Sequence, residues 1–251
     1  MKPMKILGAV TSFLSSRFCG KKEAVCCAIL LAAGSGTRMG GVKKCFLPLG
    51  STTVLESALS AFEKLPFIRE IIIVTKEDAV EEARNLPRVA ACKIPCKVVI
   101  GGDSRLASAA NGFYAANRSI DFVAIHDAAR PFITPQNITD IFTAAQKTGA
   151  ACASHPITDT VKRADKNGFI TETVDREGLF AVQTPQIFKR SVYAASLALA
   201  LKDKIEVTDD CMMAEHAGFK VKLVDTGKEN IKLTCPEDYN AAINKQNWEE
   251  N

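Results

Sequence analysis

The chain has 251 residues, nearly half of them apolar, and 32 basic against 28 acidic side chains, for a net charge of +4. That length fits one large α/β domain, or one domain with a small appendage. The modest charge suits anionic small molecules and supplies no basic tail for nucleic acid, and no apolar run approaches the roughly 18 residues that span a membrane. Nine scattered cysteines with no C-x-x-C pair, and dispersed His126, His155 and His216, point to reduced, mostly buried thiols in a cytoplasmic protein. They do not point to a disulfide framework or a zinc site.

Residues 1–25 are set apart as an N-terminal extension. Met1–Lys22 is basic and free of acids but is interrupted by Lys5 and Arg17 and lacks a clear cleavage site. It is expected to be disordered or weakly helical, with plastid-type targeting as the other reading. The domain then runs over residues 26–245.

It opens with the apolar run Cys26–Leu31, a buried-strand pattern. AAGSGTRMGGVKK follows over residues 32–44. Its glycines permit a tight turn and close approach of backbone to a ligand, and exposed loop amides form an anion-binding concavity. Arg38 and Lys44 place positive charge beside it. Two familiar phosphate loops fail on spacing. No Ser or Thr follows Lys44, as a Walker A loop requires. Gly34 and Gly36 begin a dinucleotide fingerprint, but Met39 holds its third glycine position. Strand, glycine loop and two cations together read as a site for a nucleoside triphosphate whose phosphates are attacked, the alternative being an ordinary glycine turn with solvated lysines.

Helix and strand patterns then alternate: a helix over Thr53–Lys64, a strand at Ile71–Thr75, a helix over Glu77–Asn85 and a strand at Val98–Ile100. A helix over Ser104–Asn117, a strand at Phe122–Ile125, a helix over Pro135–Lys147 and a strand at Ala150–Ser154 follow. This alternation predicts a mainly parallel sheet with helices on both faces, whose ligand sites lie at the carboxyl ends of strands. The glycine loop, Gly101-Gly102-Asp103 and Asp127 each follow a strand and are expected at one edge. Asp127 reads as a Mg²⁺ ligand or as a turn cap, with Arg130 as its ion-pair partner. After the Gly-Gly turn, Asp103, Arg105 and Ser108 read as contacts to base and ribose, or as a helix cap.

Residues 157–175 break the pattern. TVKRA and FITETV flank the turn-like Asp165-Lys166-Asn167-Gly168, which predicts a projecting β-hairpin. An isolated two-stranded arm is marginal in water, so a homodimer clasped through it is expected. Lys162 and Arg163 read as solvated; Arg176, at the return to the body, reads as able to reach a second subunit's site. A helix over Lys189–Leu201, a helix over Thr208–His216 capped by Thr208-Asp209, a strand at Lys220–Val224 and a last helix opened by Pro236 complete the chain. Lys232 in NIKLT reads as a strand-borne cation that reaches phosphate, with Glu229 as a second candidate for the metal. A phosphate nucleophile already ionised needs no general base, so the reading is nucleotidyl transfer by positioning and charge stabilisation.

In order, AAGSGTRMG, Lys44 with FLPL, GGDSR, HDAARPF, PITDTVKR, TVDREGL, QTPQIF, VTDD and ENIKLTCPEDY resemble the 2-C-methyl-D-erythritol 4-phosphate cytidylyltransferases from Cys26 to the last helix. The resemblance implies a three-layer Rossmann-like α/β fold of the nucleotide-diphospho-sugar transferase type. It implies CTP and a polyol phosphate as substrates, Mg²⁺ as cofactor, and a CDP-linked alcohol and pyrophosphate as products. By motif position Arg38, Lys44 and Lys232 are implied as the cations at the reacting phosphates. Ala32, Ala33, Gly34, Gly36, Gly102, Asp103, Arg105, Ser108 and Ala128 are implied as the nucleotide pocket, and Asp127 as the metal ligand. Thr160, Arg176 and Thr184 are implied for the polyol phosphate, Thr160 and Arg176 from the partner's arm. The family's usual Pro-Lys-Gln is Lys43-Lys44-Cys45 here, which leaves two lysines as candidates for one role. The alternatives are a ribitol-phosphate cytidylyltransferase and a nucleotide-binding module without turnover.

Overall fold

The computed structural model describes residues 23–34 and 42–249. The expectations for Met1–Lys22, Gly36 and Arg38 lie outside them. Strands and helices follow in the order β1 (Cys26–Leu31), β2 (Pro48–Leu49), β3 (Thr52–Thr53), α1 (Val54–Glu63), β4 (Ile68–Thr75), α2 (Val80–Arg84), α3 (Pro87–Ala90), β5 (Cys96–Ile100), α4 (Arg105–Ala115) and β6 (Phe122–Asp127). They continue with α5 (Pro135–Thr148), β7 (Ala150–Pro156), β8 (Val161–Ala164), β9 (Ile170–Val174), β10 (Phe180–Lys189), α6 (Arg190–Asp203), α7 (Asp210–His216), β11 (Lys222–Asp225) and α8 (Pro236–Glu249).

One sheet of seven strands, ordered β11-β7-β10-β6-β1-β4-β5, forms the middle layer. β5, β4, β1 and β6 run parallel, and β10 is antiparallel to both neighbours. Both faces are covered. Along β1, Cys26, Ala28 and Leu30 enter one apolar cluster with residues of α1 and α5, while Cys27 and Ile29 enter another with residues of α4, α6 and α7. This is the period of two expected of a strand buried on both sides, and it explains why β1 reads as an unbroken apolar run.

The helices start where their caps put them. Thr53 and Glu56 form a reciprocal capping box at α1, and Ser104 Oγ accepts the Ala107 N–H at 3.0 Å at α4. Thr134 caps α5 ahead of Pro135, and Gly149, in the left-handed region at φ 86°, ends it. The helix predicted over Glu77–Asn85 is instead a 3₁₀ turn, Glu77–Ala79, running into the short α2, with α3 opened separately by Pro87.

β10 is the one strand of the seven-stranded sheet absent from the sequence expectations, and the short pair β2 and β3 is absent from them as well. Gln183, Thr184, Pro185 and Gln186 break its apolar pattern, and its pairing with β7 is correspondingly irregular between Val182 and Gln186. NIKLT, expected as a strand, is an extended segment outside any sheet. Leu233 plugs a small cluster with Leu49, Val54 and Ala242, and its N–H donates to Ala129 O at 2.8 Å.

β8 and β9 pair only with each other, as a hairpin outside the main sheet. Lys162 donates to Thr173 Oγ1 at 2.6 Å and Arg163 pairs with Glu172 at 2.9 Å, so both cations serve the arm itself. Phe169 and Ile170 are 71% and 66% exposed. None of the eight described cysteines is in a disulfide, and no described helix is long and apolar enough to cross a membrane.

Gly112 sets how closely α4 approaches the sheet. A Cβ there would lie 2.5 Å from Ile29 Cγ2 and 2.9 Å from Val74 Cγ2, both on β-branched side chains with little rotamer freedom. Gly112→Ala is therefore expected to lose about 1–3 kcal/mol of stability by overpacking. A thermal melt reads the loss, and an unchanged midpoint would show that the helix retreats without cost.

Candidate active site

The order of the sheet reverses at β1: the chain crosses from β1 to β4 and β5 on one side, then returns to β6 on the other. In a parallel sheet this is where a crevice opens at the carboxyl ends of the strands. A cleft of about 690 Å³ lies there. Ala33 and Gly34 after β1, Lys44, the Gly101–Asp103 turn after β5, Asp127 ending β6 and Lys232 all stand on its walls.

The turn after β5 requires its glycines. A Cβ on Gly101 would lie 2.8 Å from both Ala33 Cβ and Ser108 Oγ, and one on Gly102 would lie 2.4 Å from Ala107 Cβ. Ser108 is buried, and its hydroxyl spans the turn: it accepts the Gly102 N–H at 3.1 Å and donates to Gly102 O at 3.3 Å. This leaves a smooth backbone shelf packed against Ala33 on the cleft wall, with Asp103 exposed beside it.

Opposite the shelf, Asp127 is surrounded by cations. Lys232 Nζ is 2.7 Å from Oδ2, Arg105 Nη2 is 3.8 Å from Oδ1, and Arg130 Nε is 4.0 Å from Oδ2. Burial alone would push this carboxyl up, but Lys232, Arg105 and Arg130 together outweigh it and hold it below the usual carboxylate range. Behind Asp127, its N–H donates to Thr184 Oγ1 at 3.0 Å, and the Thr184 hydroxyl meets His126 Nδ1 at 3.1 Å. His126 Nε2 meets the Arg130 carbonyl at 3.1 Å. A carbonyl only accepts, so Nε2 carries the proton and Nδ1 accepts from Thr184. Burial pushes His126 down to about 4, so the ring is a neutral strut at physiological pH.

The two neighbouring lysines diverge. Lys43 Nζ lies 3.3 Å from carboxylate oxygens of Asp78 and Glu82 and donates to Asp78 O at 3.0 Å, away from the cleft. Lys44 opens the 3₁₀ turn Lys44–Phe46 and stands on the cleft wall. Arg105, read from sequence as a base or ribose contact or as part of a helix cap, also lines the cleft, and its Nη1 lies 2.7 Å from Asp210 Oδ2. Asp209 does cap α7, its Oδ1 accepting the Met212 N–H at 2.9 Å. Asp210, the residue after the cap, carries no signal of its own in the sequence. Nothing local separates two adjacent aspartates at a helix start.

The remaining candidates lie off the cleft wall. Ala32 and Ala128 are buried, their N–H groups donating to Val74 O and Leu31 O at 2.7 and 3.0 Å. Thr184 is buried behind Asp127. Thr160 and Arg176 sit at the root of the arm, where Arg176 and Lys228 both donate to Thr158. Glu229, the second metal candidate, pairs instead with Lys245 and is largely exposed.

Residues 26–244 match the family model described as 2-C-methyl-D-erythritol 4-phosphate cytidylyltransferase (IspD). A protein of that name from Caldanaerobacter subterraneus is 38% identical over 84% of this chain and 94% of the relative. Another, from Clostridium tetani, is 36% identical over 84% of this chain and 86% of the relative. Among solved structures, the 4-diphosphocytidyl-2C-methyl-D-erythritol synthase of Anaerococcus prevotii superposes with a TM-score of 0.79 at 29% identity, over 89% of this chain and 96% of that one. The 2-C-methyl-D-erythritol 4-phosphate cytidylyltransferase of Thermus thermophilus superposes with a TM-score of 0.74 at 30% identity, over 90% of this chain and all of that one. With its family model spanning nearly the whole described domain, the chain belongs to the 2-C-methyl-D-erythritol 4-phosphate cytidylyltransferase family.

Proposed function

We propose that this chain joins CTP to 2-C-methyl-D-erythritol 4-phosphate, giving 4-diphosphocytidyl-2-C-methyl-D-erythritol and pyrophosphate for isoprenoid precursor synthesis. The observation that carries the reading is Asp127, ionised at a strand end, surrounded by cations and facing a glycine-bounded nucleotide shelf across one cleft. An oxygen of the acceptor's phosphate attacks the α-phosphorus of CTP. A new P–O bond forms, the bond from the α-phosphorus to the bridging oxygen breaks, and pyrophosphate leaves. The attacking oxygen is already anionic, which suits a cleft whose nearest histidine, His126, is buried and neutral. Lys44 and Lys232, with Arg38 from the glycine loop, neutralise charge at the α-phosphate. Ala33, Gly34, Gly102, Asp103 and Ser108 hold the nucleoside.

The residues present fit a Mg²⁺ ion. Among the described residues no cluster of three or more metal-ligating side chains exists. Magnesium needs only one or two carboxylates when substrate phosphates and waters complete its shell. Asp127 supplies that carboxylate, and the ion, when bound, neutralises phosphate charge. A pyrophosphate-release assay with CTP tests the reading, methylerythritol phosphate against ribitol phosphate. Turnover with the first acceptor is expected; turnover confined to the second would overturn it.

Lys44→Ala is expected to lower kcat by about 10²–10³-fold, the scale for removing one fixed stabiliser of transition-state charge, with the melting midpoint retained. Lys43→Ala, breaking only exposed ion pairs, should stay within a few-fold of wild type. A severe Lys43 variant beside a mild Lys44 variant would reverse the assignment. Asp127→Asn keeps the shape and removes the charge. Its rate should fall by a similar factor and lose its dependence on Mg²⁺ concentration, whereas an unchanged Mg²⁺ titration would refute the ligand role.

The same reading assigns Thr160 and Arg176 to the neighbouring subunit's acceptor site. An arm with exposed Phe169 and Ile170 and no third strand supports a symmetric dimer. Arg176→Ala and Lys44→Ala subunits, each inactive alone, should then recover activity when mixed under subunit exchange, because each heterodimer holds one intact composite site. No recovery in verified heterodimers would place Arg176 in its own chain's chemistry or in none.

A further inference from the structure

Asp210 puts a carboxylate in the core, at the first residue of α7, where it is 1% exposed. Burial pushes this carboxyl up, and an ion pair through Oδ2 and a hydrogen bond through Oδ1 oppose that penalty. Its Oδ2 lies 2.7 Å from Arg105 Nη1, its Oδ1 accepts the Tyr193 hydroxyl at 2.8 Å, and its N–H donates to Gln186 Oε1 at 2.9 Å. Tyr193 is itself fully buried, its ring packed between Phe113 and Phe188 at centroid distances of 5.0 and 5.5 Å. The hydroxyl is therefore fixed by the core, the carboxylate by the hydroxyl, and the guanidinium by the carboxylate. The chain of contacts ends in the cleft, where Arg105 is 25% exposed with Nη2 3.8 Å from Asp127 Oδ1.

An arginine on a helix start ordinarily loses much rotamer freedom when it binds a phosphate. Here that freedom is already removed. A cation fixed in place acts where charge develops during reaction, because it needs no rearrangement at that moment. We infer that Asp210 is a positioning residue: with Tyr193 it fixes the Arg105 guanidinium beside Asp127 as a standing cation for the phosphates of the nucleoside triphosphate, so that Arg105 does not read the base. This inference rests on the cytidylyl transfer proposed above.

The two roles for Arg105 separate in kinetics. A standing counter-charge for the transferring phosphoryl group governs kcat; a contact to base or ribose governs KM for CTP and base choice. Asp210→Asn, Tyr193→Phe, Arg105→Gln and the double variant Arg105→Gln/Asp210→Asn are made in the full chain. The readouts are kcat, KM for CTP and the melting midpoint. Asp210→Asn is expected to lower kcat by about ten- to a hundredfold with KM for CTP within about threefold, and Tyr193→Phe to move kcat the same way by less. On the Arg105→Gln background, Asp210→Asn should lower kcat no further, because it acts through Arg105. Arg105→Gln alone leaves Asp210 buried without its cation, so the double variant should melt higher than Arg105→Gln.

A loss from Asp210→Asn that multiplies undiminished on the Arg105→Gln background would make Asp210 structural and overturn the assignment. So would a rise in KM for CTP with kcat intact. Should Asp210→Asn fail to fold, Tyr193→Phe and the double variant carry the same comparison. A wild-type chain that transfers no cytidylyl group overturns the functional reading itself. Wild-type turnover with Asp210→Asn unchanged in both constants overturns only the positioning role.

Discussion

The carboxylate of Asp127 is the constraint around which the cleft is built. It ends the buried strand β6, where an isolated charge is costly. Three cations from three separate segments meet it: Arg105 from the start of α4, Arg130 from the turn after β6, and Lys232 from the extended segment before α8. Two of them are in turn held from behind, Arg105 by Asp210 and Arg130 by Asn230. Arg130 donates to Asn230 O at 2.7 Å, and Asn230 donates to Thr184 O at 2.7 Å, so Lys232, Arg130 and the strut beneath Asp127 share one frame. Counting the groups in direct contact, three cations face two carboxylates, Asp127 and Asp210, which leaves one positive charge over before Lys44 is included. A pocket balanced in this way is short of negative charge, and a polyanionic ligand supplies it.

Register turns this local balance into a site. Leu31 of β1 stands opposite Val74 of β4 and Asp127 of β6, and Thr75 stands opposite Ile100 of β5. Four strands therefore end level, and the glycine loop, the Gly101-Gly102 turn and Asp127 emerge side by side. A one-residue slip in any of them would turn its buried faces over. Because both faces of β1 are packed, the slip is excluded by the core and the edge is fixed without any contact made at the edge itself.

The same logic decides what could be read from the sequence. Strands β1, β4 and β6 are legible because burial on both faces leaves continuous apolar runs, while the edge strand β5, with no fully buried residue, is legible only from its short run Val98–Ile100, and whatever follows such a run lies at an end of the sheet. This is why the sequence alone groups the glycine loop, GGD and HDAAR at one edge. β10 escapes the same test for a physical reason: Gln183, Thr184 and Gln186 are buried polar residues whose side chains bond Asn230, Asp127 and the start of α7. Their purpose is to connect segments distant in sequence, and no local pattern reports that. Asp210 escapes for a related reason. Its neighbour Asp209 has a complete local explanation as a cap, whereas the partners of Asp210, Arg105 and Tyr193, arrive from elsewhere in the chain. Lys43 and Lys44 are equivalent as letters, and only the placement of Asp78 and Glu82 separates them.

On the proposed reading, what one chain assembles is chiefly the nucleotide half of the reaction. Shelf, Asp127 and cations are fixed on the rigid edge of the sheet, whereas Thr160 and Arg176 sit where the arm leaves the body. The arm has few internal contacts from which to draw stability: two short strands, one ion pair, and apolar side chains turned to solvent at its tip. A hairpin of that kind does not hold a side chain to the fraction of an ångström that in-line attack on phosphorus demands unless something packs against it. On the proposed reading a second copy of the chain meets that need by symmetry, because each arm that covers a neighbour's apolar surface receives the same cover in return. On the proposed reading, assembly and acceptor binding are then one event: ordering the arm fixes Arg176, and the acceptor phosphate meets a formed site only in the dimer.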